Sequence, residues 1–222
     1  AFSAGVLTGI ATLTRAGTLL ILPLACLYLA LRRNRAGAIA IALGALLALA
    51  PWSLRNIGEH RVGIASQGAL TFWTGNSPAA IGEGDLAANP DLKRANEALR
   101  RQHGYPTAEA MESVYYAEAL RFIREQPTAW LWLTVKKFFY LWVPVGPSYM
   151  LHSALYRWSS WLSFGGLLPL AVMGGFKLAS GPRQPVALWL LAASAILTCL
   201  VFFPQERFRI PVIDPTLIVC AS

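Results

Sequence analysis

The sequence predicts an all-α fold: polytopic membrane helices joined by a partly helical extracytoplasmic loop and an amphipathic helix lying at the interface. Three observations lead there. Of the 222 residues, 55% are hydrophobic and eight are tryptophan, and the mean hydropathy is +0.47; a soluble domain of this size usually carries less. Charge-free stretches run over 16–31, 36–54, 158–176 and 184–204, and the last three have roughly the twenty residues a helix needs to cross about 30 Å of hydrocarbon. The formal charge of +8 is unevenly placed: between Arg55 and Glu125 eight basic and nine acidic residues nearly cancel, so the excess lies at the flanks of the apolar stretches.

Taken in order, the chain opens with "AFSAGVLTGI", which has no basic region ahead of its apolar run and therefore does not resemble a signal peptide. It reads as starting inside a helix. At the other end "IPVIDPTLIVCAS" reads as stopping part-way along a further span, so the sequence is expected to be a piece of a longer protein. The stretch from 16 is short for a span, and reaches across by snorkelling through Arg32 and Arg33. "RRNR" at 32–35 is the strongest positive-inside signal and is placed in the cytoplasm, so the span 36–54 delivers the next segment to the outer side. Four regions result: transmembrane helices over 1–56, an extracytoplasmic loop region over 57–127, an interfacial helix and turn over 128–153, and transmembrane helices over 154–222.

In the loop, Asn89-Pro90-Asp91 has the form of a helix start, with a capping Asn, Pro at the first helical position and an acid in the first turn; Gly104 after "ALRRQH" is its stop. A second helix is expected from about Thr107 to Gln126, ended by Pro127, with Tyr116, Leu120 and Ile123 on one face. Over 129–161 the question is whether 138–156 crosses the membrane. Pro144 and Pro147 would break a crossing helix in its middle, so an amphipathic helix on the outer surface is preferred. In it Lys136 and Lys137 are solvated, Trp130, Trp132, Phe138, Phe139 and Trp142 dip into lipid, and a span starts near Leu155. Trp158 and Trp161 then belong to the outer aromatic belt.

Basic residues at span flanks serve as topology signals and headgroup contacts with membrane lipids, and this distribution argues against nucleic-acid binding. Cys26, Cys199 and Cys220 all fall in apolar segments without a CxxC pair and read as packing residues. His60, His103 and His152 have no metal-ligand spacing, so no metal site is expected. Composition rich in Ala, Arg and Pro fits a bacterium with GC-rich DNA.

The segment "FFPQERFRIP" at 202–211 places Glu206, Arg207 and Arg209 between two apolar runs, on the outer side, against the positive-inside rule. Arg15 in "TLTRAG" turns the chain on that same side. A guanidinium at the outer surface matches a phosphate or diphosphate, because its rigid donors fit the oxygens and stay charged. The plainer reading is that these arginines end helices and snorkel to headgroups.

The motifs "GVLTGIATLTRAGTLLILPL", "PWSLRN", "GALTFWTGNSPAAIGEG", "YYAEALRFIREQPTAWLWLTVKKFFYLW" and "ERFRIPVIDPTLIV", in this order, resemble the C-terminal two-thirds of a bacterial GT-C integral-membrane glycosyltransferase. The similarity is to the family-39 branch, protein-mannosyltransferase-like and aminoarabinose-transferase-like. It implies a multi-pass enzyme of the bacterial inner membrane that moves a sugar from a polyprenyl-phosphate donor to a lipid, glycan or protein acceptor on the non-cytoplasmic face. It also implies that Arg15, Arg207 and Arg209 lie beside the donor phosphate. The acid serving such enzymes as catalytic base lies in their first outer loop, which would precede residue 1, so no catalytic residue is assigned within the sequence. No cofactor is implied, and dependence on a divalent metal is left open.

Arg55, Asn56, Trp73 and Asn76 are the candidates for acceptor or sugar binding. "TFWTGNSP" offers an aromatic platform with an amide, or else a turn packed on the membrane surface; Arg55 reads equally as an interface anchor. Glu83 and Asp85 read as solvated loop acids, and Asp214, just inside the last span, as a functional candidate or an arginine partner. A transporter or flippase of lipid-linked saccharides is the alternative. It would place polar or broken helices at the membrane midplane, whereas the spans 36–54 and 184–204 carry no charge.

Overall fold

The computed structural model describes residues 1–58, 67–84, 86–146, 152–181, 185–204 and 213–221, with the backbone alone for Asp214, Pro215 and Ala221. Arg207, Arg209 and Asp85 lie outside the described residues. Those described are all-helical, without strands. They divide into two compact units, one of Ala1–Gly68 with Ala187–Thr198, the other of Ala69–Val186 with Cys199–Ser222.

The first unit holds α1 (Phe2–Thr14), a 3-10 turn (Ala16–Thr18), α2 (Ile21–Leu31), α3 (Arg35–Gly58) and the middle of α9 (Val186–Val201). Its central contact is α1 against α3, and small residues permit it. A Cβ added at Gly5 would lie 2.1 Å from the Ile41 carbonyl oxygen, and one at Gly9 would lie 2.7 Å from Ala48 Cβ. Close backbone approach of this kind is how helices associate where lipid removes the hydrophobic drive. Alanine for Gly5 should therefore lower the unfolding midpoint in detergent, although alanine is favoured over glycine in a helix by about 1 kcal/mol. Alanine for Gly166 in α8, where an added Cβ meets nothing within 4 Å, should raise it. Between α2 and α3 the chain turns at "RRNR": Arg33 takes a positive φ of 58°, and the Asn34 side chain accepts a hydrogen bond from Gly37 N at 2.9 Å.

The second unit holds α4 (Gly68–Gly75), α5 (Pro90–Gln102), α6 (Glu112–Glu125), α7 (Pro127–Trp142), α8 (Ala154–Ala179), the end of α9, and α10 (Ile213–Ala221). α5 has the expected cap: Asn89 accepts from Leu92 N at 3.1 Å, and Gly104 closes the helix at φ 72°. α6 starts later than expected, and its buried face is Tyr115, Ala119 and Phe122. That face is one residue out of register with Tyr116, Leu120 and Ile123, and Leu120 is exposed. The reason is partner geometry: Trp73 stacks on Tyr115 at 5.6 Å, in a core shared with Ala69, Leu92, Leu99, Met111 and Ala119.

α7 ends at Trp142 and α8 begins at Ala154, capped by Ser153, which accepts from Tyr156 N at 3.3 Å. α10 packs on α8. Two helices, α3 with 24 residues and α8 with 26, are long and apolar enough to cross a membrane; α1, the 16–31 stretch and α9 are apolar and shorter. In each long helix only 11% of the apolar window is buried, and Leu43, Leu46, Leu47 and Leu54 of α3 are more than half exposed. An apolar surface of that extent suits lipid rather than water.

Candidate functional site

The stretch "TFWTGN" forms the last turns of α4. Thr74 donates to the Thr71 carbonyl at 2.8 Å, and Asn76 N closes the helix on the Trp73 carbonyl at 3.0 Å. Position 75, where the helix ends, requires glycine, because a Cβ there would lie 1.7 Å from the Phe202 carbonyl oxygen. Phe202 in turn meets Phe72 edge to face at 6.1 Å. The segment leaving α9 is therefore held against the end of α4.

Asn76 is 1% exposed, and its amide is fully used inside the protein. Nδ2 donates to the Phe72 carbonyl at 2.9 Å and to the Val201 carbonyl at 2.7 Å. Oδ1 accepts from Trp130 Nε1 and from Lys137 Nζ, both at 3.0 Å. Lys137 is fully buried and also donates to the Leu200 carbonyl at 3.0 Å. Leu200 and Val201 end α9, where backbone carbonyls lack intrahelical partners, so the amine and the amide together cap that helix.

Burial pushes the Lys137 amine down from 10.5 to about 7, since removal from water disfavours the charged form. The hydrogen bonds agree with this. A neutral amine has two N–H groups, and among the described residues Nζ has two acceptors, Asn76 Oδ1 and the Leu200 carbonyl; an ammonium would have a third donor to place. Enclosed in this way, Lys137 acts through the chain it holds. Its contacts fix the end of α9.

Several expectations change here. Lys137 is buried rather than solvated, and Trp130 turns inward to Asn76, because α7 buries the stripe Leu133, Lys137 and Leu141. Trp132, Phe138 and Phe139 are exposed. Lys136 is exposed as well: consecutive helical residues point about 100° apart, so adjacent lysines part company. Trp73 is buried at 5% exposure against Tyr115 and Asn76 has no free donor, so the geometry gives both a structural role in place of an open sugar platform. Glu83 is buried rather than solvated: Cβ at Gly146 would lie 1.9 Å from its Oε1, so the bare glycine backbone leaves room for the carboxylate.

Arg15 is half-buried at the C-terminal end of α1, with extended backbone (φ −147°, ψ 101°). Its carbonyl accepts from Thr18 N and Oγ1, both at 3.0 Å. Thr198, in the last turns of α9, points its Oγ1 at the Gly17 carbonyl at 2.9 Å and at the Ser194 carbonyl of its own helix at 2.8 Å, its single hydrogen shared between the two acceptors. Arg55 lies on the last turn of α3, its guanidinium 5.1 Å from the Trp52 ring centroid, and the adjacent Asn56 is buried. The residue that sequence reasoning missed is Lys137. Its signal is a lysine midway along the four-residue repeat of Leu133 and Leu141, on the same side of the helix as those two leucines.

Comparison of the chain with protein-family models, with curated proteins and with solved structures gives no match.

Proposed function

We propose that the protein is a multi-pass membrane glycosyltransferase component that holds the phosphate of a polyprenyl-phosphate sugar donor with Arg15, Arg207 and Arg209. The observation that carries the reading is the Thr198–Gly17 hydrogen bond. It sets the turn after Arg15 against the end of α9, and from that end the chain runs on through Phe202–Pro204 to Arg207 and Arg209. The Asn76–Lys137 cap, which holds Leu200 and Val201, adds a reason for fixing the start of that segment firmly. Three guanidinium groups around one phosphate would stabilise the negative charge that grows on it as the sugar leaves. In this reading the bacterial inner membrane is the site of action, and the acceptor is a lipid, a glycan or a protein.

Arg207→Gln with Arg209→Gln tests it. Membranes carrying the full coding sequence should lose sugar transfer from a polyprenyl-phosphate donor, and the purified 222-residue chain should bind polyprenyl monophosphate at least about tenfold more weakly, the loss of one charge-assisted contact or more. Membrane insertion and helicity should be unchanged. Full transfer and full binding in the double variant would remove the phosphate site.

A further inference from the structure

The start of α8 carries a feature that sugar transfer does not use. Arg157, Trp158, Trp161 and Leu162, with Val145 opposite, line an open cavity of about 530 Å³, within the range of small-ligand sites. Helical spacing makes the cluster: Arg157 and Trp161 are four apart, as are Trp158 and Leu162, so they share one side of the helix. The opposite wall is fixed by Ser160, whose Oγ donates to the Pro144 carbonyl at 2.6 Å, holding Val145 beside the helix. Trp158, Trp161 and Leu162 are each more than half exposed, while the Arg157 guanidinium has no carboxylate or hydrogen-bond partner among the described residues.

Position along the helix decides what would fit. α8 has 26 residues, about 39 Å at 1.5 Å per residue, against about 30 Å of hydrocarbon. The surplus places a turn or two in the headgroup layer. Arg157 and Trp158 lie in the first turns, next to the positive end of the helix dipole, and Trp161 and Leu162 lie one turn deeper. A cation at headgroup depth above an apolar groove complements a molecule with a negative head and a hydrocarbon tail.

We propose that this groove binds one anionic phospholipid, its phosphate on Arg157 and an acyl chain between Trp158, Trp161, Leu162 and Val145. The inference rests on the membrane reading of α8 and is independent of sugar transfer. Native mass spectrometry of the detergent-solubilised protein titrated with phosphatidylglycerol or phosphatidylcholine tests it. Retention of one phosphatidylglycerol is expected, weakened about tenfold by Arg157→Gln, unaffected by Arg32→Gln on the α2–α3 turn, and weakened for both lipids by Trp161→Ala. Equal losses in Arg157→Gln and Arg32→Gln would overturn the site in favour of diffuse charge attraction. Both lipids carry the phosphate and only phosphatidylglycerol carries net negative charge, so equal retention of the two by the parent would overturn the proposed choice of an anionic lipid. A dimer lost in Trp161→Ala without change in lipid retention would assign the groove to a second copy of the chain.

Discussion

Asn76→Leu is expected to cost on the order of 4 kcal/mol or more, and to leave little folded protein. Leucine removes every partner of the buried amide at once: Trp130 Nε1 and Lys137 lose their shared acceptor, and the Phe72 and Val201 carbonyls lose their donors. Each buried group left unsatisfied costs about 1–3 kcal/mol. The four are coupled, so their costs do not simply add, but their sum is large beside a total stability of about 5–15 kcal/mol. Thermal unfolding followed by circular dichroism in one detergent measures it. Asn76→Asp is the companion variant that should fold better: it keeps the acceptor facing Trp130 and Lys137 while losing the two donors, and should fall between leucine and the parent. An unfolding midpoint for Asn76→Leu equal to the parent's would show that the cap does not hold α4, α7 and the end of α9 together.

Stability should rise with pH between about 7 and 10.5, and Lys137→Met should abolish that rise. The sign follows from the direction of the shift. Lys137 binds its proton less tightly in the folded protein, at about 7, than at its ordinary 10.5. Between these values the unfolded chain holds a proton that the folded protein does not, and stability increases with pH by up to ~1.4 kcal/mol per unit. Below about 7 the amine is protonated in both states and the folded protein carries the whole cost of a buried charge; above 10.5 it is neutral in both and the cost is gone. Methionine has a similar length and no titration, so the difference in stability between parent and variant isolates this one group from the other lysines and tyrosines. A parent and a Lys137→Met variant that run parallel from about pH 6.5 to about pH 9.5 would show that the amine keeps its charge inside the protein, through contacts stronger than the two carbonyl-type oxygens it faces.

Much of the fold was legible because it depends on local chemistry. The Asn89 cap with Pro90 and Gly104 set the limits of α5, since capping and positive φ are decided by the residue at the position. Pro127 separates α6 from α7 because it suits a first helical turn and cannot continue the previous helix. The charge-free runs gave α3 and α8, since length and apolar content are sums over the sequence. The face of α6 was misread by one residue because Tyr115 and Tyr116 are alike in type, and what selects Tyr115 lies on other helices: the Trp73 ring and the Asn96 Oδ1 that accepts from its hydroxyl at 2.6 Å.

The sequence by itself determined a strongly apolar chain, helical in its described residues, and the exposed aromatic side of α7. Of the three runs it offered as full-length spans, α3 and α8 are long enough to cross a membrane and the 184–204 run forms the shorter α9. Only the tertiary structure decided which lysine of Lys136 and Lys137 is buried, and that Asn76 binds Trp130, Lys137 and the end of α9 instead of facing outward. A charge is recognisable in a sequence, but whether it meets water depends on what packs against it. Here that means carbonyl groups 63 residues away from Lys137 and 125 residues away from Asn76, contacts that no local pattern encodes.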